Sequence, residues 1–333
     1  MRRARKTFQA RVVSYGRALP VVLFFMLGSW VVSLSVDVPA PAHMGSFLWE
    51  EFNLFLPGER RISLAIGLLL YLGIGFSLIP LNNQLVVIRT RASMQTIFFF
   101  FWLALLPFLH PLLYDACPMF LLLCSLSFLM LGYQRERPMG FVYHALLCLG
   151  LASCFAPELL LLLPVYIVGA CLFRMCSWRN LLAGILGVLF AYVFFTGIAW
   201  AVGKPELLFL QFASSWEQMQ HYVRPDYALW FLVLVGYQLV LLLCTIPYYW
   251  LKRPKIGLRT RDFLAFFLLL ELAFVAGMCL KPELLCTLLP LSLICLSFIE
   301  GHFFSFVYTK SSNVLFAFAL SVPFVLYLIL LLS

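Results

Sequence analysis

This sequence is short of charge. Only 11% of its 333 residues are Asp, Glu, Lys or Arg, against about 25% in ordinary soluble domains. With 64% hydrophobic residues and a mean hydropathy of +1.00, too little polar surface remains to coat a core facing water, which excludes a soluble fold. Metal-ligand spacings are missing too. The five histidines contain no HExxH and the ten cysteines no CxxC, so a soluble metalloenzyme is set aside and no metal ligand set is assigned. The cysteines (117, 124, 148, 154, 171, 176, 244, 279, 286 and 295) lie within or beside apolar runs. They read as small buried hydrophobes rather than as a disulfide framework. Low-complexity tracts and a water-soluble domain are both absent.

What is present is a succession of apolar runs of membrane-crossing length, near 20 residues each. They fall at 18–36, 62–80, 94–114, 116–133, 140–155, 157–173, 181–202, 228–250, 263–280, 284–299 and 313–332. The expected fold is all-α: a polytopic membrane helix bundle of about eleven transmembrane helices, forming a single integral membrane domain over 1–333. The first run follows a basic N-terminus and precedes Ala40-Pro41-Ala42, which looks like a signal-peptide cleavage site. Its 19 residues, Ala18 to Val36, exceed the usual 7–15-residue signal core, so it reads as a retained first span.

The cations set an orientation. With the N-terminus inside, the inner segments hold Arg2, Arg3, Arg5, Lys6, Arg11 and Arg17, then Arg89, Arg91, Arg135, Arg137, Arg174, Arg179, Lys252, Arg253, Lys255, Arg259, Arg261 and Lys310. That is 18 of the 23 Lys and Arg residues. The positive-inside rule therefore predicts N-in/C-out. This distribution explains the net charge of +9 without a nucleic-acid partner. Ten of the 14 acids fall on the outer side, a clustering that insertion does not require. Solvation of the loops and an acidic outer-face site are the two readings of it.

Two outer loops, 37–61 and 203–227, are long. Leu48, Phe52 and Phe55 in the first, and Leu208, Phe212, Trp216 and Met219 in the second, recur at helical spacing. Both loops are predicted to contain an amphipathic interfacial helix, and membrane lipid is the expected partner.

One run breaks its own pattern. HPLLYDACPMF, residues 110–120, puts His110 and Asp115 between stretches without any charge. From Asp115 onward, LLLCSLSFLMLGYQRERPMGFVYHALLCLGLASCFAPELLLLLPVYIVGACLFR resembles the middle of GT-C glycosyltransferases, the polyprenyl-phosphate-sugar-dependent membrane enzymes. In that superfamily an acid opens a span, a short basic turn follows, and a small-residue helix leads into a proline-containing leucine run. CLKPELLCTLLPLSLICLSFIEG resembles the superfamily's lysine-then-Leu-Pro segment near the end of the bundle. The chain also resembles a bacterial family of integral membrane proteins without assigned activity. The resemblance implies a bacterial cytoplasmic (inner) membrane location and a polyprenyl-phosphate-linked sugar as substrate, with protein partners unspecified. It implies Asp37 as general base, and Asp115 as the acid that orients the acceptor or supports a divalent metal. Lys281 and Arg224 would neutralise the lipid phosphate, with His110 beside them as a substrate-binding residue. Many members carry two adjacent acids after the first span, whereas Asp37 is followed by Val38 and Pro39.

Glu271 lies near the middle of the ninth run. An intramembrane acid is a functional hypothesis by default. It belongs either to a proton or ion path or to a neutral, hydrogen-bonded carboxyl, and His144 in the fifth run is a candidate partner. Three readings stay open: a lipid-linked-sugar transferase, a transporter or flippase using Glu271, and a non-catalytic subunit of envelope assembly.

Overall fold

The computed structural model describes residues 8–14, 18–35, 60–88, 93–110, 113–201, 203, 228–252, 257–280 and 284–332. Among the described residues the chain is helical and contains no strand. The helices are α1 (Phe8–Ser14), α2 (Ala18–Ser35), α3 (Arg60–Leu85), α4 (Met94–Leu105), α5 (Leu113–Leu131) and α6 (Met139–Phe155). They continue with α7 (Leu163–Leu172), α8 (Trp178–Ala201), α9 (Ala228–Lys252), α10 (Leu258–Leu280), α11 (Leu285–Phe306) and α12 (Lys310–Leu332). In hydrocarbon each backbone N–H and C=O must be satisfied internally, and a helix does this within one segment.

Among the described residues six helices are long and apolar enough to cross a membrane: Ala18–Ser35, Arg61–Leu85, Trp178–Ala201, Val233–Trp250, Leu258–Leu280 and Thr287–Phe306. Shorter apolar helices are Met94–Leu105, Ala116–Leu131, Met139–Phe155, Pro157–Leu172 and Lys310–Val325. By length and composition this is an all-helical membrane protein.

Several boundaries differ from expectation. The run at 94–114 is not one helix. A residue preceding proline is driven out of the helical region, and Leu106, before Pro107, sits at φ −117, ψ 70. The chain then makes a 3-10 turn, Pro107–Leu109. The run at 157–173 likewise opens as a 3-10 helix, Pro157–Leu162, before α7. In contrast, the run expected to stop at 299 continues to Phe306, which brings Glu300 and His302 into α11. Arg60 and Arg61, assigned to the first long loop, begin α3. The interfacial helices expected within 37–61 and 203–227 otherwise lie outside the described residues.

The cysteine expectation needs correction. Cys154 and Cys295 are buried, but Cys171, Cys176, Cys244 and Cys279 are exposed. In a membrane helix an outward-facing thiol meets lipid, so hydropathy alone does not bury it.

Two compact units divide the chain. The first comprises Met1–Pro41, Glu59–Leu113 and Leu293–Ser333; the second comprises Ala42–Gly58 and Tyr114–Ser292. In the first, α4 is the hub, packing against α2, α3 and α12, with Phe98, Phe99, Phe100, Trp102 and Leu103 buried. Polar side chains knit these helices through backbone carbonyls. Ser29 Oγ donates to Ala104 O at 2.6 Å, Thr96 Oγ1 to Gly75 O at 3.0 Å, and Gln95 Nε2 to Leu78 O at 3.0 Å. In the second unit α6 lies closely along α8. A Cβ on Gly187 would stand 2.5 Å from Tyr143 O and 3.0 Å from Leu147 N, so glycine is what lets these two backbones approach.

Candidate functional site

The best-defined polar arrangement in the first unit is centred on His110. It is fully buried. Its Nε2 lies 2.9 Å from Leu103 O, and a carbonyl can only accept, so Nε2 carries the proton. In the neutral ring Nδ1 is then the acceptor, and it takes the Ser33 hydroxyl at 2.7 Å. The indole of Trp30 stacks on the imidazole at 3.8 Å between centroids and 21° between planes. Trp30 is itself fixed by Nε1 donating to Leu64 O at 3.0 Å and by a tilted ring contact with Tyr71 at 5.9 Å. His110 therefore ties the C-terminal end of α2 to the 3-10 turn after α4. Expected to contact substrate, it serves in this conformation as a buried clamp with both ring nitrogens engaged. The proline break at Leu106 is what turns the chain so that the imidazole reaches Leu103 and Ser33.

The sequence-predicted acids flank this clamp in the chain. Asp37 follows Ser33 by four residues and Asp115 follows His110 by five. Asp37, Arg224 and Lys281 lie outside the described residues. Asp115 is the third residue of α5.

Glu271 is fully buried in α10, among Phe267, Leu270 and Phe274 of the same helix. His144 occupies a different environment. It is exposed on α6, its Nδ1 is 2.6 Å from Gly140 O, and its ring packs 5.3 Å from Phe128. The expected pairing of a buried histidine with Glu271 therefore meets an exposed histidine already bonded to its own helix.

A second buried acid was not anticipated. Glu300 is 1% exposed and accepts the Trp102 indole N–H at 3.0 Å. The segment FIEGHFF looks like a loop because two polar residues and a glycine interrupt the apolar run. The signal that could have found it is the resumption of FFSF immediately afterwards.

Elsewhere in the second unit, α5 ends at Leu131 and Tyr133 lies in the turn beyond it. The Tyr133 hydroxyl donates to Asp262 Oδ2 at 2.9 Å, and its ring meets Phe173 at 5.9 Å and Phe263 at 5.2 Å. The Arg259 guanidinium sits 5.4 Å from the Phe263 ring, and Arg261 Nε is 3.4 Å from Asp262. Desolvation, followed by the Asp262 hydrogen bond and charge, pushes the Tyr133 phenol above its usual value. This cluster joins the turn after α5 to the first turns of α10.

Among the described residues, no three His, Cys, Asp or Glu side chains come together as a metal site. Comparison with protein-family models, with curated proteins and with solved structures returned no match in any of the three.

Proposed function

We propose that this protein is a membrane transferase of the GT-C kind, which moves a sugar from a polyprenyl-phosphate donor to an envelope acceptor at the outer face of a bacterial cytoplasmic membrane. The reading takes the bundle as eleven spans, N-in/C-out, on the strength of the cation distribution. In the reaction the Asp37 carboxylate removes the acceptor hydroxyl proton as that oxygen attacks the anomeric carbon. The bond from the anomeric carbon to the phosphate oxygen breaks, leaving polyprenyl phosphate. Lys281 and Arg224 neutralise that phosphate, and Asp115 orients the acceptor. The observation that carries the reading is the clamp of Ser33, Trp30 and His110 (2.7 Å between Ser33 Oγ and His110 Nδ1). Within the first unit it holds the last turn of α2, which precedes Asp37 in the sequence, to the turn after α4, and catalysis by positioned carboxylates needs rigid support of this kind.

A deletion strain provides the test, read by mass spectrometry of envelope glycans and lipid-linked sugars. The expected result is one glycan modification lost and its lipid-linked donor accumulated, both reversed by the wild-type gene. Glycans unchanged by deletion contradict the proposal.

A second reading, an ion-coupled transporter or flippase, is favoured by two acids buried within helices, Glu271 and Glu300, because intramembrane acids often serve proton paths. Under that reading Glu271→Gln abolishes flux in proteoliposomes while Asp37→Asn leaves it intact.

A further inference from the structure

In the second unit the turn between α7 and α8 brings two thiols together. Its sequence, CLFRMCSW, places Cys171 in the last turn of α7 and Cys176 just before α8. In a continuous helix the neighbours on one face are three or four residues apart, so residues 171 and 176 meet only because the chain reverses.

That reversal is held at both ends. Arg174 adopts φ 60, the left-handed conformation that closes many helices. Met175 N–H then donates to Ala170 O at 2.8 Å and Arg174 N–H to Cys171 O at 3.0 Å, the pair of bonds that seals a helix C-terminus. On the far side Asn180 Nδ2 donates to Met175 O at 2.8 Å. The Asn180 backbone N–H donates to Ser177 Oγ at 3.3 Å, which caps the start of α8.

Alternate side chains anchor the turn. Phe173 is buried, with its ring 5.9 Å from Tyr133 and 5.3 Å from Phe263. Met175 is buried against Gly132, where an added Cβ would stand 2.7 Å from the Met175 sulfur. Arg174 and Cys176 face outward instead, and Cys171, Ser177 and Arg179 are exposed beside them. Across the turn the Cys171 and Cys176 thiols share a hydrogen bond. Two arginines and a serine within the same short stretch mark a water-facing helix end rather than the lipid-facing middle of a span. Buried thiols such as Cys154 and Cys295 are inert, whereas an accessible thiol with a second one in reach is the arrangement that oxidises reversibly.

We propose that Cys171 and Cys176 form a redox-active dithiol, which a peroxide converts into an intramolecular disulfide. One cysteine attacks a peroxide oxygen as its thiolate, and the O–O bond breaks to leave a sulfenic acid and hydroxide, which takes up the thiol's proton as water. The other sulfur then attacks the sulfenic sulfur. The S–O bond breaks, the S–S bond forms, and the hydroxyl leaves as water with the second thiol's proton. Two thiols are thereby oxidised by two electrons, and one hydrogen peroxide is reduced to two waters. The new bond joins the end of α7 to the start of α8 across a turn that is already fixed, and it does not depend on the transferase reading.

The test treats the full-length protein in nanodiscs with hydrogen peroxide, then denatures it in acid and blocks remaining thiols with N-ethylmaleimide. Trypsin cuts after Arg174, between the two cysteines. The disulfide therefore appears in mass spectrometry as the peptide ending at Arg174 joined to residues 175–179. The joined pair is expected after peroxide and should vanish with dithiothreitol, and Cys171 and Cys176 should lose and regain maleimide labelling together. Cys171→Ser and Cys176→Ser should each abolish it. Full labelling of both thiols after peroxide overturns the proposal, as does Cys176 joined to Cys148 or Cys154 as often as to Cys171. Should either variant fail to fold, the wild-type peptide map before and after dithiothreitol decides alone: a reversible Cys171–Cys176 link supports the dithiol, and its absence overturns it.

Discussion

At the scale of single residues, side-chain-to-carbonyl hydrogen bonds and ring contacts add to the apolar packing among the described helices of the first unit. Such bonds between membrane helices are individually modest, about 0.6 kcal/mol on average and near 1.7 at most. Ser33→Ala, which removes one hydroxyl from His110, should therefore cost about 0.6–1.7 kcal/mol. His110→Ala should cost more, about 2–4 kcal/mol, because it also deletes a ring stacked at 3.8 Å and leaves a cavity against Trp30. Thermal unfolding in detergent, followed by tryptophan fluorescence, checks both; equal stability of the three proteins would show that the clamp carries no load. Little of this was legible in the sequence. His110 stood out as a polar residue near Asp115, but Ser33 is 77 residues away in the chain, and no local pattern pairs the two. Glu271 was legible, because an acid in the middle of a long apolar run needs no partner to be noticed. Glu300 was not, because its polar neighbours imitate a loop.

At the scale of elements, the decisive features are a proline that ends a helix and a glycine that allows two to touch. Pro107 converts the expected 94–114 span into a 12-residue helix followed by a 3-10 turn. Apolar composition hid that break, since hydropathy counts a proline-interrupted run and a continuous one alike. The α6–α8 pair rests on Gly187, where an added Cβ would meet backbone atoms at 2.5 and 3.0 Å. Backbone cannot swing aside as a flexible side chain can, so Gly187→Ala should destabilise by about 1–3 kcal/mol. Gly197 on the same helix supplies the control. No atom lies within 4 Å of its added Cβ, and Gly197→Ala should be neutral or stabilising by up to about 1 kcal/mol. Equal effects at the two positions, measured by the same unfolding assay, would contradict the close-packed α6–α8 interface.

At the scale of the whole molecule, composition determined the class. A chain this poor in charge folds as membrane helices, and six of the described helices meet the length and hydropathy needed to cross. Hydropathy runs located nearly every described helix, because spans must be long and apolar whatever they pack against. Helix ends were harder to read, since they depend on proline geometry and on which polar residues find partners inside the bundle. The acids assigned to chemistry came from a resemblance rather than from packing, and Asp37 lies outside the described residues. The account's central claim is sugar transfer by Asp37 and Asp115, with Glu271 playing no chemical part. Its most direct test is the amount of lipid-linked sugar accumulated in the deletion strain carrying Asp37→Asn, Asp115→Asn or Glu271→Gln at matched membrane levels. The account predicts that both aspartate variants accumulate donor as fully as the deletion, while Glu271→Gln restores wild-type levels. Full restoration by the aspartate variants, with accumulation in Glu271→Gln alone, would contradict it and leave transport through the bundle as the function.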